Sequence, residues 1–428
     1  MTRGRELAAG AAAVLVTACG SAPSEPAPAA TDLRVPRPGP TVTSPTTPEP
    51  GPREFTVVAT GDVLLHDPLW EQARRDAEEV GGDRDLDFAP QLAAIAPIVE
   101  AADLGICHLE VPIAPQGGPY HGYPLFSGPP EIVDALVDTG YGACTVASNH
   151  IFDQGAAGVD RTLDALDDAA LAHAGAARTE AEADEPVLIE IATDGGPALV
   201  GLVSYTFSFN GIPYPSGETW RSNLIDQDCV WGGSCERAAE EILADAAAAR
   251  EAGADVVIAA MHWGPEFQAE PDASQTSLAP LLIESADVDL VLGHHAHVVQ
   301  PVEYFDGQWV VYGLGNLMAA HATVGEELRE GLLVRFTFTE DPDAGGFETT
   351  MAEYLPLLQT DPYPARVLDV PAAPDPADDV PASTDRLQTA HDRTTEIVGR
   401  RGAFEHGLML LDGQRTSEDQ RSERTTDR

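Results

Sequence analysis

Three histidines that follow an apolar run near residue 291 have the types and spacing to do chemistry. The segment Val291–Gln300 reads Val-Leu-Gly-His-His-Ala-His-Val-Val-Gln, so imidazoles come directly after a strand-like run that ends in glycine. Neutral imidazole is the commonest protein ligand for transition metals. His295 and His297 are two residues apart, and in extended backbone they would point to the same side. This spacing predicts that both bind one metal ion.

Similar polar residues follow the other apolar runs that we predict as strands. Because ligands of α/β sheets bind at the carboxyl ends of the strands, we expect these residues to converge. Single positions have ordinary explanations, such as a helix cap at Asp62, so the prediction depends on the whole set. The set is Asp62, His108, Glu110, Asn149, His150, Asp153, His262, His294, His295, His297 and Asn316.

Carboxylates, imidazoles and an amide oxygen in one place suit a divalent metal of intermediate hardness, namely Mn, Fe, Zn or Mg. Two ions bridged by a carboxylate would explain the number of ligands, and such a pair can activate water for an in-line displacement. Four other histidines lie away from the strand ends, and we expect them to be structural or solvent-exposed. They are His173, His321, His391 and His406.

The elements that must position these residues alternate between strand-like and helix-like patterns from Phe55 onward. This alternation predicts an α/β fold with largely parallel central strands, and with mixed or antiparallel pairing where helices become fewer. The predicted strands include Phe55–Thr60, Leu104–Cys107, Ala143–Ala147, Val256–Met261, Leu290–Leu292 and Trp309–Tyr312. The predicted helices include Gln91–Ala101, Glu131–Thr139, Ala157–Ala169, Glu236–Ala252 and Ser277–Ser285.

The charge of the chain excludes one class of partner. The 428 residues carry a formal net charge of -46, and arginine supplies every fixed positive side chain because lysine is absent. Nucleic-acid binding depends mainly on positive charge that meets phosphate, so we expect no nucleic-acid partner. Solubility is the ordinary explanation of such an excess of carboxylates.

The N-terminal segment has the pattern of an export signal. Residues 1–19 combine Arg3 and Arg5 with an apolar stretch that is too short to span a bilayer. They end in Val-Thr-Ala-Cys, which resembles the lipobox of bacterial lipoproteins, in which the cysteine is lipidated. We therefore predict lipidation at Cys19 and an extracytoplasmic protein anchored by lipid to the bacterial cell membrane, with simple secretion as the alternative. Residues 20–53 are rich in Pro, Ser and Thr and fit a disordered tether.

The folded domain is expected over residues 54–371, followed by an acidic, Pro-rich and partly disordered extension over residues 372–428. Phe404–Leu411 is an apolar patch in this extension that we expect to dock on the domain. Cys229 and Cys235 flank a short loop that a disulfide can close in an oxidising compartment. Cys107 and Cys144 fall in two predicted strands, and we expect buried free thiols there unless the strands are adjacent.

Six motifs occur in the order found in the CapA family of capsule and poly-gamma-glutamate synthesis proteins, which is related to the calcineurin-like metallophosphoesterases. The resemblance runs from about Phe55 to Leu355. The motifs are Gly61-Asp62-Val-Leu-Leu, His108-Leu-Glu110, Ser148-Asn149-His150-Ile-Phe-Asp153-Gln-Gly155, His262-Trp-Gly-Pro-Glu266, His295-Ala-His297-Val-Val-Gln300-Pro301 and Tyr312-Gly-Leu-Gly315-Asn316.

The resemblance implies a four-layer α/β/β/α sandwich and a site with two divalent ions. It implies that His150 acts as general acid or stabilises transition-state charge, and that Asp153 orients its ring. His294 would be a neighbour of the ligands. The implied metal ligands are Asp62, Glu110, Asn149, His262, His295 and His297.

The chain departs from the pattern of the family at three positions. His108 stands where asparagine is usual, and Ala296 stands where proline is usual. Leu64 stands where the phosphoesterases carry a metal-binding histidine, and leucine cannot bind metal. His66 or His108 is therefore a candidate substitute ligand.

Two functions from different classes are compatible with these features. The first is a surface-anchored, metal-dependent hydrolase or transferase that acts on a phosphoester or an anionic surface polymer during capsule or poly-gamma-glutamate synthesis or export. The second is a non-catalytic assembly or polymer-binding factor of a membrane polymer synthase. A periplasmic binding protein is a weaker alternative, because the histidines at the strand ends disfavour it. Motifs shared with a family do not by themselves settle the reaction.

Overall fold

The computed structural model describes residues 51–81, 84–322, 325–343, 345–371 and 382–411, and the statements below concern these residues. One sheet contains the following strands: β1 Glu54–Val63, β2 Leu104–Leu109, β3 Tyr141–Thr145, β4 Ala172–Ala174, β11 Asn316–Met318, β12 Glu330–Asp341, β13 Gly346–Gln359, β14 Val367–Asp369 and β15 Met409–Leu410. Its order is β14-β13-β12-β1-β2-β3-β4, while β11 pairs with β1 and β15 with β13.

The second sheet contains β5 Leu188–Ile191, β6 Ala198–Thr206, β7 Val256–His262, β8 Leu290–His294, β9 Val302–Phe305 and β10 Gln308–Val311. Its order is β5-β6-β7-β8-β10-β9. The central strands of both sheets are parallel, whereas β12 and β13 of the first sheet and the outer strands of the second are antiparallel. The sequence predicted this combination of parallel central strands with antiparallel strands where helices become fewer.

Most of the helices pack on the outer faces of the sheets. They are α1 Asp67–Val80, α2 Ala89–Leu92, α3 Ala96–Glu100, α4 Glu131–Asp138, α5 Gly155–Asp168, α6 Glu180–Ala183, α7 Gln227–Val230, α8 Glu236–Glu251, α9 Ala273–Ile283 and α10 Thr384–Gly399. The single helix predicted over Gln91–Ala101 is wrong, because the segment forms α2 and α3. Pro97 lies in the first turn of α3, and a proline inside a continuous helix would lack the N–H that the helix needs.

Alternating side chains along the strands define four layers. Val57 and Ala59 of β1 face a cluster that also contains Val256 and Leu290 of the other sheet, so this cluster lies between the sheets. Val58, one residue away, points to the opposite face of the sheet. It belongs to a cluster that also contains residues of α1 to α5. A third cluster packs α8 and α9 on the outer face of the second sheet. The predicted α/β/β/α sandwich is confirmed.

The cysteines of the described residues form two disulfides. Cys229 and Cys235 are bonded across their short loop, with the Cα atoms 4.4 Å apart. Cys107 and Cys144 occupy paired positions of β2 and β3 and are also bonded. The expectation of free thiols at Cys107 and Cys144 is therefore wrong, because the two strands are neighbours and their side chains lie on the same face.

The chain after residue 381 packs against the domain. α10 contributes Ile397 and Val398 to the cluster between the sheets, and β15 adds a short parallel strand beside β13. The predicted signal peptide, Cys19, most of the tether and residues 412–428 lie outside the described residues. Within the described ranges, no helix has both the length and the apolar character required to cross a membrane.

Candidate metal centre

The carboxyl ends of β1, β2, β7 and β8, with the loop after β3, bring the predicted residues to one edge of the sandwich. Asp62 and His108 are paired positions of neighbouring strands, and so are His262 and His294. We call the assembled group the strand-end cluster. It consists of Asp62, His108, Glu110, Asn149, His262, His295 and His297, and all seven side chains are buried.

The loop after β8 does not have the extended backbone that we assumed. His295 and His297 both have positive φ, 83° and 55° respectively, so the argument from alternation along a strand is wrong. Non-glycine residues in this region are strained by about 1–3 kcal/mol and persist only where the surroundings hold them. Here the N–H of His295 donates to Oδ2 of Asp62 at 3.1 Å. The turn still directs both imidazoles into the cluster.

Asp62 is held by the histidines of this loop. Its Oδ1 lies 2.9 Å from Nδ1 of His294, and its Oδ2 lies 3.2 Å from Nδ1 of His297. Asn316, the last residue of the predicted converging set, fixes the same loop because its side-chain N–H donates to the carbonyl of His297 at 3.0 Å. His294 is therefore a hydrogen-bonding partner of Asp62.

A chain of hydrogen bonds orients His262. Its Nε2 lies 2.9 Å from Oδ1 of Asn149, and its Nδ1 lies 2.9 Å from Nε2 of His108. Since the amide oxygen only accepts, His262 donates through Nε2 and accepts at Nδ1 from His108. Nδ1 of His108 then accepts from the Thr145 hydroxyl, at 2.8 Å. His108 thus takes part in the cluster, and with Asp62 and His262 it also forms a group able to hold a metal.

His66, the other candidate substitute ligand, lies elsewhere. Its Nδ1 accepts from the N–H of Ala320 at 3.1 Å, and its ring packs on Phe126. It belongs to none of the candidate metal groups of the described residues. Burial lowers the pKa of His66 to about 4, so its ring is neutral at physiological pH.

Glu110 is the strongest sign of a cation-binding site. Both of its carboxylate oxygens are buried and have no hydrogen-bond partner among the described residues. Its Oε1 lies 3.8 Å from both His262 and His297, so it stands between the two histidines. Glu110 also belongs to two candidate metal groups, one with Asp62 and His297 and the other with His262 and His295. A buried carboxylate without partners is costly unless a cation compensates it.

The pKa values of the cluster reflect this crowding of charge. Burial raises the pKa of Glu110 well above its usual range. Burial alone would raise the pKa of Asp62, but hydrogen bonds with His294 and His297 hold it well below its usual range. Burial alone would lower the pKa of His297, but Glu110 and Asp62 raise it to about 9. His297 is therefore the imidazole of the cluster whose protonated form the neighbouring carboxylates stabilise.

The remaining imidazoles of the cluster are neutral. Burial lowers the pKa values of His108, His262 and His295 well below the usual histidine range. Nδ1 of His295 is buried without a partner in the described residues. Neutral imidazole is the form that binds metal. His295 has a free nitrogen for a metal, whereas His262 would first have to move its proton from Nε2 to Nδ1.

His150 stands at the edge of the cluster with Asp153. Nδ1 of His150 lies 2.7 Å from Oδ2 of Asp153, and the same oxygen accepts from the N–H of Phe126 at 2.7 Å. Asp153 is therefore fixed by the loop before α4 and in turn fixes the imidazole. This pairing leaves Nε2 as the nitrogen through which His150 can exchange a proton with a substrate.

A cavity of about 650 Å³ is lined by residues of the cluster and its surroundings, including His150, His297 and Glu266. The expectation that His321 lies away from the site is wrong. Its ring centroid is 4.7 Å from that of His297, and it lines the cavity. Glu266 is exposed and forms a further candidate metal group with His295 and His297. Its place in the motif after His262 was the signal that could have assigned it.

The family model for the bacterial capsule synthesis protein PGA_cap matches residues 56–321, which is more than half of the chain and contains the whole strand-end cluster. This chain belongs to the PGA_cap family.

Curated relatives of this PGA_cap protein have related names. A probable polyglutamine synthesis accessory protein of Mycobacterium tuberculosis is 28% identical over 251 residues, which cover 57% of this chain and 63% of that protein. The PGA biosynthesis protein CapA of Bacillus subtilis is 26% identical over 220 residues, 51% of this chain and 53% of that protein. The matches thus span less than two thirds of the length of these relatives.

Among solved structures, the calcineurin-like phosphoesterase YfkN from Bacillus subtilis is similar with a TM-score of 0.43 and 14% identity, covering 81% of this chain and 97% of that chain. The architecture assigned to this PGA_cap protein rests on its own sheets and clusters.

The donors of this PGA_cap protein fit a divalent cation. Carboxylate oxygens, neutral imidazoles and the Asn149 amide are the mixed donor set of such sites. The unpartnered oxygens of Glu110 and the unpartnered nitrogen of His295 supply donors that no protein group uses in the described residues. The residues therefore suit the group that the resemblance implies.

Proposed function

We propose that this protein acts at the bacterial surface in capsule or poly-gamma-glutamate synthesis or export, through a site that hydrolyses or transfers a phosphoester or gamma-glutamyl bond with divalent metal. Membership of the PGA_cap family supports the pathway. The names of the relatives from Mycobacterium and Bacillus support it as well. A membrane polymer synthase is the partner that these names suggest.

The observation that carries the catalytic part is Glu110, a buried carboxylate without partners at the centre of overlapping candidate metal groups. We propose that Glu110, which both groups share, would hold divalent metal together with Asp62 and His297 in one group and with His262 and His295 in the other. Asn149 would add its amide oxygen. A pair of divalent ions at such a site would supply an activated water and stabilise charge during an in-line displacement. His150 would donate a proton from Nε2 to the leaving group, and Asp153 would keep its ring in place.

The word "accessory" in the name of the Mycobacterium relative favours a second candidate, a non-catalytic assembly or polymer-binding factor of the synthase. In that function the metal would shape a binding surface, and no proton transfer by His150 would be needed. Variants that keep the metal but remove His150 distinguish the two functions, as described in the Discussion.

Metal content is the measurement that tests the proposed site. We expect the purified full chain to contain near-stoichiometric divalent metal by mass spectrometry, and the Asp62→Ala/His297→Ala variant to lose it while remaining folded. The His391→Ala/Asp392→Ala variant is a matched control, because it removes the same residue types from an exposed pair whose Nδ1 and Oδ1 are 3.2 Å apart. A metal-free parent after incubation with Mn, Fe or Zn would refute the metal site.

The surface location is part of the proposal and rests on the sequence ending at Cys19. Stable attachment to a membrane usually needs two acyl chains, or one chain and a second attachment. A diacylated cysteine would supply both chains. We expect Cys19→Ala to move the protein from the washed membrane fraction to the soluble fraction, and Ser21→Ala to leave it in the membrane. Equal membrane retention of both variants in immunoblots of fractionated cells would contradict the anchor.

A further inference from the structure

The cavity beside the strand-end cluster shares two lining residues with a second cavity. The first, of about 650 Å³, is lined by His150 and His297 at its metal end and also by His321 and Arg329. A second cavity of about 350 Å³ is lined by the same His321 and Arg329 from the other side. We call the two cavities together the cleft, and Arg329 lines both of them.

Arg329 places a positive charge on the wall of the larger cavity. The chain has a net charge of -46 and no lysine, and Arg329 is the arginine among the described residues that line the larger cavity. The carboxylates of that cavity are Asp67, at the start of α1, and Glu266, beside His295 and His297. An anionic ligand in the larger cavity would therefore meet fixed positive charge at Arg329.

The guanidinium of Arg329 has free capacity. Its Nη1 lies 3.1 Å from the carbonyl of Thr360 and 3.0 Å from Oδ1 of Asp361. Nε and Nη2 have no hydrogen bond to the described residues. The side chain of Asp361 is 88% exposed, so this ion pair is weak and can yield to a ligand. Arg386 of the smaller cavity is different, because Glu330 and the carbonyl of Glu326 occupy both of its terminal nitrogens.

We propose that Arg329 forms a carboxylate-binding subsite at the centre of the cleft, which selects an extended oligomer with repeated carboxylates over a small substrate. This inference rests on the proposed function, since the bond to be cleaved or transferred would lie at the metal end. The planar guanidinium presents paired N–H donors that match a carboxylate, and it remains charged at any physiological pH. The subsite also answers a physical difficulty, because it attracts an anionic polymer locally to a protein that repels it globally.

Binding of a fluorescent gamma-linked glutamate oligomer to the full chain tests the subsite, measured by anisotropy at about 0.15 M ionic strength, where long-range repulsion is screened. We expect Arg329→Gln to weaken binding by about 10- to 100-fold, since it removes charge-assisted hydrogen bonds. Arg329→Lys keeps the positive charge but lacks the planar pair of N–H donors. Its affinity for the oligomer should therefore lie between that of Arg329→Gln and that of the parent. Asp361→Asn should tighten binding, because it releases Nη1.

Arg237→Gln is the matched control, because it makes the same change in net charge at a side chain that is 72% exposed on α8. Equal losses in Arg329→Gln and Arg237→Gln would overturn the subsite, and so would a parent that does not bind the oligomer. Arg329-dependent binding of polyphosphate but not of the glutamate oligomer would overturn the carboxylate class.

Metal content measured in the same samples separates this inference from the proposed function. A parent without metal that shows Arg329-dependent binding would reject the metal site and keep the subsite. A parent with metal whose oligomer binding ignores Arg329 would reject the subsite alone.

Discussion

Glu110→Gln is expected to abolish metal binding and to make the metal-free protein more stable. The substitution keeps the shape of the side chain but removes a carboxylate whose two buried oxygens have no partner. Loss of the shared carboxylate should lower metal affinity by more than about 100-fold, since even outer-shell changes at metal sites cost up to that factor. Because burial raises the pKa of Glu110, the metal-free protein must either bury this carboxylate or protonate it, and a neutral amide avoids that cost. The free energy of unfolding of the metal-free protein should therefore rise by about 1–3 kcal/mol.

Glu110→Gln is thus expected to stabilise the metal-free protein and to remove the stabilisation that metal provides, so the two measured quantities should change in opposite directions. Urea unfolding would be measured for the parent and for Glu110→Gln, each in chelator and in excess metal. With metal the parent should be the more stable protein, because a ligand that binds only the native state adds to stability. Glu348→Gln makes the same chemical change at an exposed position of β13 and should change neither quantity. If Glu110→Gln keeps its metal, Glu110 is not a ligand.

His150→Ala should lower turnover by about 10²- to 10⁴-fold while leaving metal content unchanged, because general acid catalysis contributes a factor of this size. His150 is held by Asp153 at 2.7 Å and lines the larger cavity, so its removal takes away a proton donor without touching the proposed ligands. Turnover would be followed on activated phosphoesters and gamma-glutamyl anilides, with metal content measured in parallel. His391→Ala, at a histidine of α10 outside both cavities, should behave as the parent.

Surface polymer in a deletion strain gives the same variant a second readout. If the site is catalytic, His150→Ala should fail to restore the polymer, although the protein is folded and contains metal. Full restoration by a His150→Ala protein that retains its metal would exclude an essential acid role and establish the assembly factor as the better account.

Asp153→Asn is informative beside His150→Ala. Oδ2 of Asp153 binds both the His150 ring and the N–H of Phe126, so the change weakens the hold on the ring but leaves the imidazole present. A loss smaller than that of His150→Ala is the pattern of a positioning residue.

Much of the fold followed from local pattern. Val57 and Ala59 alternate with Val58, and this alternation is enough to predict a strand with two buried faces. The predicted helix at Gln91–Ala101 failed because apolar periodicity continues through Pro97, whereas the helical hydrogen bonds do not. β11, three residues long, is too short for a periodic signal.

The sequence alone predicted which kinds of side chain lie at the strand ends. Asp62, Glu110, His262 and their neighbours follow apolar runs, and parallel strands must end at a common edge, so their approximate convergence needs no tertiary information. The contacts within the cluster, by contrast, depend on the tertiary structure. Asp62 and His294 are 232 positions apart, and their hydrogen bond depends on how one sheet packs on the other.

Tertiary structure alone decided which residues surround the cluster. His321 and Arg329 lie in sequence between β11 and β12, and no periodicity of the sequence places these two residues at the cavity. The same is true of the bond between Cys107 and Cys144, which depends on the pairing of β2 with β3. Local sequence specifies the direction of each side chain relative to its own strand, whereas register and packing between strands are set by the summed burial of the whole domain.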